Sequence, residues 1–265
     1  MKELPTVLFE SENGIATITM NIPDKGNPVS GNSLNEDIEY CIDHCAADQS
    51  VRVVILRGAG KNFSVGGDIN WMKAAFDAGE PIDYEPTLKK WQGVLTNFKT
   101  LRKPIIASVQ GAAAGGGLGL ALACDFRITT EKSKFVVAQT NIGLVPDMGC
   151  AYSLVQMVGV AKALELMITG RVFTGKEALD LGLVNQAVQA DQLESATMEF
   201  AKRLANGHTV AYGAVKTMVY AMAYGGYALN FQNEVDFIEK CSKTEDHQEA
   251  VKAFLQKRKP VLTGK

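Results

Sequence analysis

The sequence predicts an α/β fold with a helical C-terminal portion. Up to about residue 190, short apolar runs rich in β-branched residues alternate with longer segments of helical periodicity, which is typical of a strand–helix layer. From Asp191 to the end the pattern is almost wholly helical. Two of the apolar runs also lead into glycine-rich turns that precede a helix, and ligands of α/β folds bind at such strand ends.

Composition and charge limit the classes of function. The 265 residues are 46% hydrophobic and 21% charged, which suits one large domain, or one domain with a small helical appendage. The net charge of −2 provides no overall field for nucleic acid or an acidic membrane. The five cysteines are odd in number and lack metal-ligand spacing, so we expect reduced thiols and no metal site. Because the N-terminus lacks an apolar signal segment and no stretch is expected to span a bilayer, we expect a cytoplasmic protein.

A β-hairpin and an amphipathic helix are predicted first. Residues 6–10 and 15–20 alternate apolar and polar side chains around Asn13-Gly14, which is a strong hairpin signal. A loop rich in Pro, Gly, Asn and Ser follows. It leads into a helix whose apolar residues recur at helical spacing over residues 34–45, so this face should meet the core.

The later elements follow from the same two periodicities. A polar, acidic stretch at residues 77–87 predicts a surface loop, and Thr174 with Glu177 predicts a helix-capping box. Apolar residues on the C-terminal helices predict contact with another subunit: Phe231, Val235, Phe237, Ile238, Val251, Phe254 and Leu255. The predicted strands are 51–57, 104–109, 126–129, 134–137 and a short run within 182–188. One predicted helix follows the surface loop and ends at residue 101, and the others span 150–158, 161–169, 175–181, 191–205, 209–223, 226–243 and 245–257.

The two glycine-rich turns are the candidate functional elements. They read SVGGDI at residues 64–69 and AAAGGGLG at residues 112–119. A strand, a glycine turn and a helix start together offer unpaired backbone N–H groups at a positive dipole end, which suits a phosphate or a carbonyl oxygen gaining charge. Tight helix–sheet packing is the alternative interpretation. Neither turn has the residues of a nucleotide-binding signature.

Four segments together resemble the crotonase (enoyl-CoA hydratase/isomerase) family. They are NFSVGGDI, ASVQGAAAGGGLGLALACDFRI, IGLVPDMG and GRVFTGKEALDLGLVNQAV, in the family's order and spacing, and the resemblance extends from the hairpin to about residue 260. It implies a ββα spiral core, placed at residues 1–200, and a C-terminal helical region, residues 201–265, that mediates trimers or pairs of trimers. It also implies an acyl-CoA thioester as substrate, with no further cofactor.

The resemblance assigns roles to individual residues. It implies that the backbone N–H groups of Gly67 and Gly116 hold an enolate-like thioester oxyanion. The structural alternative is a helix cap for Asp68 and core packing for Trp71 and Met72. The further positions expected to contact substrate are Asn27, Val65, Gly66, Asp68, Ile69, Trp71, Met72, Gly115, Gly119, Gln139 and Gly143.

The acidic residues decide the expected reaction. Hydratases of the family carry two glutamates at positions that here hold Gly119 and Gln139, neither of which can transfer a proton. The remaining acid is Asp147, at a position where several isomerases of the family place theirs. We therefore expect an acyl-CoA isomerase in which Asp147 shuttles a proton. A helix N-cap is the structural alternative for Asp147.

Other activities remain open at this point. Asp147 could instead serve a hydratase, lyase or thioester hydrolase with a bound water, or a dehalogenase, and a non-catalytic acyl-CoA-binding protein is a further alternative. Asp125 matches a structural position of the family. His44, His208 and His247 are expected to be surface or hydrogen-bonded structural residues.

Overall fold

The computed structural model describes residues 4–223, 235, 236 and 238–261, which form a mixed α/β structure. Its helices are α1 (Leu34–Ala47), α2 (Ile69–Asp77), α3 (Glu85–Thr100), α4 (Gly116–Ala123), α5 (Cys150–Thr169), α6 (Gly175–Asp180), α7 (Leu193–Ala205), α8 (Thr209–Ala223) and α9 (Glu245–Leu255). Its strands are β1 (Val7–Glu12), β2 (Ile15–Met20), β3 (Val53–Gly58), β4 (Ile105–Val109), β5 (Ala112–Ala114), β6 (Phe126–Thr130), β7 (Lys134–Val136), β8 (Phe173–Thr174) and β9 (Gln186–Val188).

The strands form two sheets. The larger has six strands in the order β1-β2-β3-β4-β6-β9, and the smaller has the order β5-β7-β8. The predicted hairpin is confirmed: β1 pairs antiparallel with β2, and Asn13 and Gly14 both adopt positive φ angles between them. The other pairs of the large sheet are parallel. Strand β4, IIASV, is buried at every position, as a parallel strand covered on both faces should be.

The chain alternates between the two sheets as it advances. Strand β4 lies in the large sheet, β5 in the small sheet, and α4 follows; β6 and β7 repeat this order before α5. This is the expected ββα spiral. Strand β5 was not predicted, because three alanines between glycines carry no β-branched signal and looked like part of the turn. The two-residue strand β8 is too short to leave a pattern.

Helix α5 is an exception to the expectation that no stretch of the chain is long and apolar enough to span a membrane. The helix has 20 residues, and an 18-residue window within it has a mean hydropathy of 1.4, so length and composition alone would allow it to cross a membrane. The backbone at Gly159, with φ 73° and ψ 165°, is not helical and divides the helix into two parts. Each part is shorter than the roughly 20 residues that span a bilayer. The division also agrees with the two separate helices predicted at 150–158 and 161–169.

The C-terminal helices pack onto the spiral. Helix α7 covers β3, β4 and β6, while α8 contacts α3, and α9 contacts α2 and the 3₁₀ turn Ala138–Ile142. The expected boundary at residue 200 thus falls inside α7. A buried ion pair fixes α8, because Lys216 Nζ lies 2.7 Å from Asp125 Oδ2, and the Tyr220 hydroxyl donates to Asp125 Oδ1 at 2.7 Å. Asp125 therefore has a structural role.

The apolar residues of the C-terminal helices are distributed differently from the prediction. Val235, Ile238 and Val251 are buried within this chain, where they join its core, and so cannot meet another subunit. Phe254 is exposed and Leu255 half-buried, while Phe231 and Phe237 lie outside the described residues. Helix α8 instead carries the largest exposed apolar set: Val210, Val215, Met218, Val219 and Met222.

Candidate active site

The two glycine turns lie side by side. Ser64 forms a parallel bridge with Ala113 of β5, and the Ala114 N–H donates to the Ser64 carbonyl at 3.0 Å. A Cβ placed on Gly66 would lie 2.5 Å from the Ala114 carbonyl oxygen and 3.3 Å from the Gly116 nitrogen. Glycine is therefore required at residue 66 for the turns to approach this closely.

Two backbone N–H groups are available at this junction. Among the described residues, neither the Gly67 nor the Gly116 N–H has a hydrogen-bond partner in the chain. Gly116 is the first residue of α4, so its N–H lies at the positive end of the helix dipole. Gly115 precedes it with φ 53° and ψ −123°, a conformation that favours glycine. These donors can bind an oxygen that gains negative charge.

Asp68 orients the first donor. Its Oδ1 accepts hydrogen bonds from the Asn70 and Trp71 N–H groups at 2.9 and 3.2 Å, which caps α2. Its own N–H donates to Ser30 Oγ at 2.9 Å. The side chain expected to touch substrate is thus engaged as a helix cap, and it fixes the turn that carries Gly67.

The turn after Pro146 places Asp147 beside the second donor. Met148 and Gly149 both adopt the left-handed conformation, with φ angles of 55° and 67°. Gly149, not Asp147, is the N-cap of α5, and no side chain caps that helix end, so the N-cap interpretation is wrong. Asp147 Oδ1 lies 3.7 Å from the position that a Cβ on Gly116 would occupy. A molecule held at Gly116 would therefore lie next to this carboxylate.

Burial and two hydrogen bonds, one from Gln139 and one from the backbone of Asp147 itself, set the pKa of Asp147. Desolvation raises the pKa of the half-buried Asp147 carboxyl to about 6, and the Gln139 hydrogen bond opposes this by stabilising the anion. Gln139 Nε2 donates to Asp147 Oδ1 at 2.8 Å. Gln139 itself is buried, at 6% exposure. A carboxylate with a pKa near 6 can both take and return a proton near neutral pH.

The two positions that lack a glutamate are explained by packing. A Cβ on Gly119 would lie 2.6 Å from Met148 Cβ and 2.8 Å from the Met148 carbonyl oxygen. An acidic side chain at residue 119 would thus require the turn carrying Asp147 to move. Gln139 occupies the second position as the hydrogen-bond donor to Asp147. The residues that replace the two glutamates therefore help to place Asp147: Gly119 makes room for Met148, and Gln139 donates a hydrogen bond to the carboxylate.

The other predicted contact residues lie in three places. Gly66, Gly115 and Met72 lie at the junction, because a Cβ on Gly115 would be 3.5 Å from Gln139 Oε1 and one on Gly67 would be 2.8 Å from Met72 Cε. Half-buried side chains extend from the first turn at Val65, Ile69 and Trp71. Gly143 ends the 3₁₀ turn and lies against α9, because a Cβ on it would be 3.2 Å from His247 Cα.

Asn27 is a structural residue, which corrects the expectation that it contacts substrate. It is fully buried with φ 57°, and its Nδ2 donates to the carbonyls of Ala59, Asn62 and Phe63 at 2.9–3.2 Å. Its Oδ1 accepts from the Ile22 N–H at 2.9 Å. Its backbone groups are bonded to Ile22 and Ser64. No polar atom of Asn27 is left for a ligand.

We expect Asn27→Ala to lower the free energy of unfolding by about 2–4 kcal/mol, because it strands buried carbonyls and places alanine at a positive φ. Chemical denaturation measures this. Asn70→Ala, at an exposed position of α2, is the control and should change stability by about 0.5 kcal/mol or less. An unchanged stability of Asn27→Ala would contradict the structural role.

Sequence reasoning missed the burial of two residues in the predicted surface loop. Tyr84 and Ile82, within the predicted surface loop, are each only 7% exposed, because this segment turns inward before α3. An isoleucine and a tyrosine in an otherwise polar stretch were the available signal. His247 is fully buried, where its Nδ1 donates to the Ile142 carbonyl, but in the described chain its Nε2 has no partner. The expectation of a hydrogen-bonded structural histidine therefore holds for Nδ1 of His247, whereas its Nε2 is unpaired among the described residues.

Comparison with known proteins shows the family to which the chain belongs. The family model described as enoyl-CoA hydratase/isomerase matches residues 10–265. The chain is 32% identical over 259 residues to a trans-2-decenoyl-[acyl-carrier-protein] isomerase of Streptococcus mutans, covering 98% of both chains. It is 34% identical over 263 residues to a short-chain-enoyl-CoA hydratase of Clostridium acetobutylicum, covering 97% of both.

A solved structure supports the fold. The crystal structure of an enoyl-CoA hydratase from Mycobacterium avium subsp. paratuberculosis superposes with a TM-score of 0.89 at 29% identity, covering 98% of this chain and 100% of that one. Among the described residues, the site combines two unpaired N–H donors with a half-buried acid, an arrangement that suits chemistry on an acyl thioester. The chain belongs to the enoyl-CoA hydratase/isomerase family and is an enzyme with the crotonase fold.

Proposed function

We propose that this enzyme is an acyl-thioester isomerase that converts 3-enoyl thioesters, or related unsaturated or ring-containing acyl groups, to conjugated isomers. The observation that carries the proposal is the position of the Asp147 carboxylate beside Gly116, with Gly119 and Gln139 where a hydratase needs glutamates. A shift of a double bond needs one group that takes a proton from one carbon and returns it to another.

The proposed reaction uses each part of the site. Asp147 removes a proton from C2, and the electron pair moves onto the thioester oxygen to give an enolate. The Gly67 and Gly116 N–H groups bind that oxygen, and each such donor stabilises the transition state by roughly 3–4 kcal/mol. The same carboxyl then returns the proton at C4, which forms the C2–C3 double bond. Atoms and electrons balance without a redox or metal cofactor, so we propose that none is needed.

The pH dependence follows from the raised pKa of Asp147. The base form is required in the free enzyme, so we expect kcat/KM to increase with pH and to level off above an apparent pKa of about 6. The measurement is the pH profile of kcat/KM for a 3-enoyl thioester. Gln139→Met removes the hydrogen bond that favours the anion, and should move this limb to higher pH. A limb near pH 4 in both proteins would contradict this assignment.

Direct assay separates isomerase from hydratase. Conjugation of a 3-enoyl thioester increases ultraviolet absorbance, while hydration of a 2-enoyl thioester removes it. We expect the first change and not the second. Loss of absorbance from 2-enoyl thioesters would favour the alternative in which Asp147 activates a water. Tight binding without turnover of any thioester would favour a non-catalytic protein.

Because the Streptococcus mutans relative is named for an acyl-carrier-protein substrate, each chain length is presented on both coenzyme A and acyl carrier protein.

We also propose a cytoplasmic homo-oligomer, a trimer or a pair of trimers. The described cysteines are free thiols, which suits a reducing compartment. The exposed apolar face of α8 borders a groove of about 510 Å³ lined by Pro104, Tyr212, Val215, Lys216 and Val219.

We expect Met222→Glu, on that face, to dissociate the assembly, because a charge would be buried at the contact. Size-exclusion chromatography with light scattering measures it. Leu8→Glu, at an exposed apolar position on the edge strand β1, is the matched control. A monomeric wild-type enzyme would contradict the proposal.

A further inference from the structure

Tyr84 is a buried tyrosine at the start of α3 that the proposed reaction does not use. Its backbone N–H donates to Glu239 Oε1 at 2.8 Å, which ties the segment before α3 to the C-terminal helical residues. Its ring meets Trp71 edge to face, with centroids 6.3 Å apart and planes at 89°. Trp71 follows Gly67 by four residues, so Tyr84 is positioned against the helix that leads away from the first oxyanion donor.

The Tyr84 hydroxyl has no hydrogen-bond partner in the part of the chain that the structure describes. Burial first, and the Asp147 and Glu239 carboxylates next, raise the pKa of Tyr84 above its ordinary value. The phenol therefore stays protonated and is a hydrogen-bond donor. Buried donors in native proteins are almost always paired, so an unpaired one on a ring packed against Trp71, next to the first glycine turn, indicates a missing acceptor.

We propose that Tyr84 is a specificity-determining residue whose hydroxyl donates a hydrogen bond to an oxygen atom on the acyl group of the substrate. The inference rests on the proposed acyl-thioester site. A plain hydrocarbon chain offers no acceptor and would leave the hydroxyl unpaired, whereas phenylalanine would line a hydrocarbon pocket without that cost. A hydroxyl or oxo oxygen along the acyl chain would pair with it, and a site built for such a bond discriminates strongly against analogues that lack it.

The test compares binding and turnover of matched thioesters by wild type and Tyr84→Phe. For binding, hexanoyl-CoA is compared with hexanoyl-CoA hydroxylated at C4, C5 or C6, none of which can undergo the isomerisation. For turnover, 3-hexenoyl-CoA is compared with its C5- and C6-hydroxylated forms. Tyr40→Phe, which removes a hydroxyl from an exposed tyrosine on α1, is the matched control.

At one hydroxyl position we expect Tyr84→Phe to weaken binding, and to lower kcat/KM, by about tenfold or more, with the unsubstituted thioester unchanged or improved. Equal effects on substituted and unsubstituted thioesters, as a retained water would give, or no effect at any position, would overturn the inference. If wild type isomerises neither 3-hexenoyl-CoA nor its hydroxylated forms, it can still bind a hydroxylated hexanoyl-CoA more tightly than Tyr84→Phe does. In that case the isomerase proposal fails and the inference on Tyr84 stands.

Discussion

Asp147→Asn is expected to reduce kcat for 3-enoyl thioesters by about 10²–10⁴-fold, because the amide can neither take the C2 proton nor return it at C4. The substitution preserves size and an oxygen that can accept from Gln139. The variant should also fold at least as well as wild type. Since the pKa of Asp147 is raised in the folded protein, its ionisation disfavours the native state as pH rises through about 6, and asparagine escapes this effect.

The matched control for this change is Asp77→Asn, at the exposed end of α2. It removes a carboxylate of the same size that is distant from the glycine turns in sequence, and it should leave turnover intact. Steady-state kinetics and thermal unfolding on the same preparations separate a chemical defect from a folding defect. Undiminished turnover in Asp147→Asn would exclude this residue as the proton carrier.

Gly116→Ala keeps the backbone N–H but is expected to block access to it, and so to lower kcat/KM by about 10²–10³-fold, the size of effect that loss of one oxyanion donor has in other enzymes. The new Cβ would lie 2.8 Å from Val29 Cγ2, 3.2 Å from Met148 Cγ and 3.7 Å from Asp147 Oδ1. It would therefore fill the space between the donor and the acid, where the thioester must bind. Val29 has little freedom to move, because the Trp91 indole N–H donates to its carbonyl at 2.8 Å. Kinetics with a 3-enoyl thioester measure the loss.

Gly93→Ala is the control for Gly116→Ala. Gly93 lies within α3, and the nearest atom to its added Cβ is Glu39 Oε1 at 3.6 Å, so this alanine should fit and slightly favour the helix. Gly66→Ala is unsuitable as a test of catalysis, because its Cβ would lie 2.5 Å from the Ala114 carbonyl and disturb folding. Normal turnover in Gly116→Ala would contradict the placement of the thioester oxygen.

Local patterns were sufficient to predict most of the fold. The alternation around Asn13-Gly14 and the apolar run 105–109 are local signals, and both elements were found as expected. Two glycine turns followed by helices indicated an anion site for the same local reason. Strand β5 was not predicted, because its three alanines form a strand by pairing with β7, which lies more than 20 residues away in the sequence.

The site residues that were mispredicted depend on distant partners. Asn27 was expected to contact substrate, yet its side-chain amide donates hydrogen bonds to carbonyls more than 30 residues along the chain. Tyr84 looked exposed because its neighbours in sequence are polar, while Trp71 and Glu239 bury and hold it. The sequence did show that acids are missing at Gly119 and Gln139. The reason, that Met148 occupies the space at Gly119, required coordinates.

The central claim is that one carboxylate moves a proton between two carbons while two glycine N–H groups hold the thioester oxygen. The most direct measurement is mass spectrometry of the product formed from 3-hexenoyl-CoA deuterated at C2, in water enriched in oxygen-18. We expect a conjugated isomer without oxygen-18, with part of the deuterium transferred to C4 in wild type, and about a hundredfold less product or lower still in Asp147→Asn. A hydrated product carrying oxygen-18, formed equally by both proteins, would contradict it.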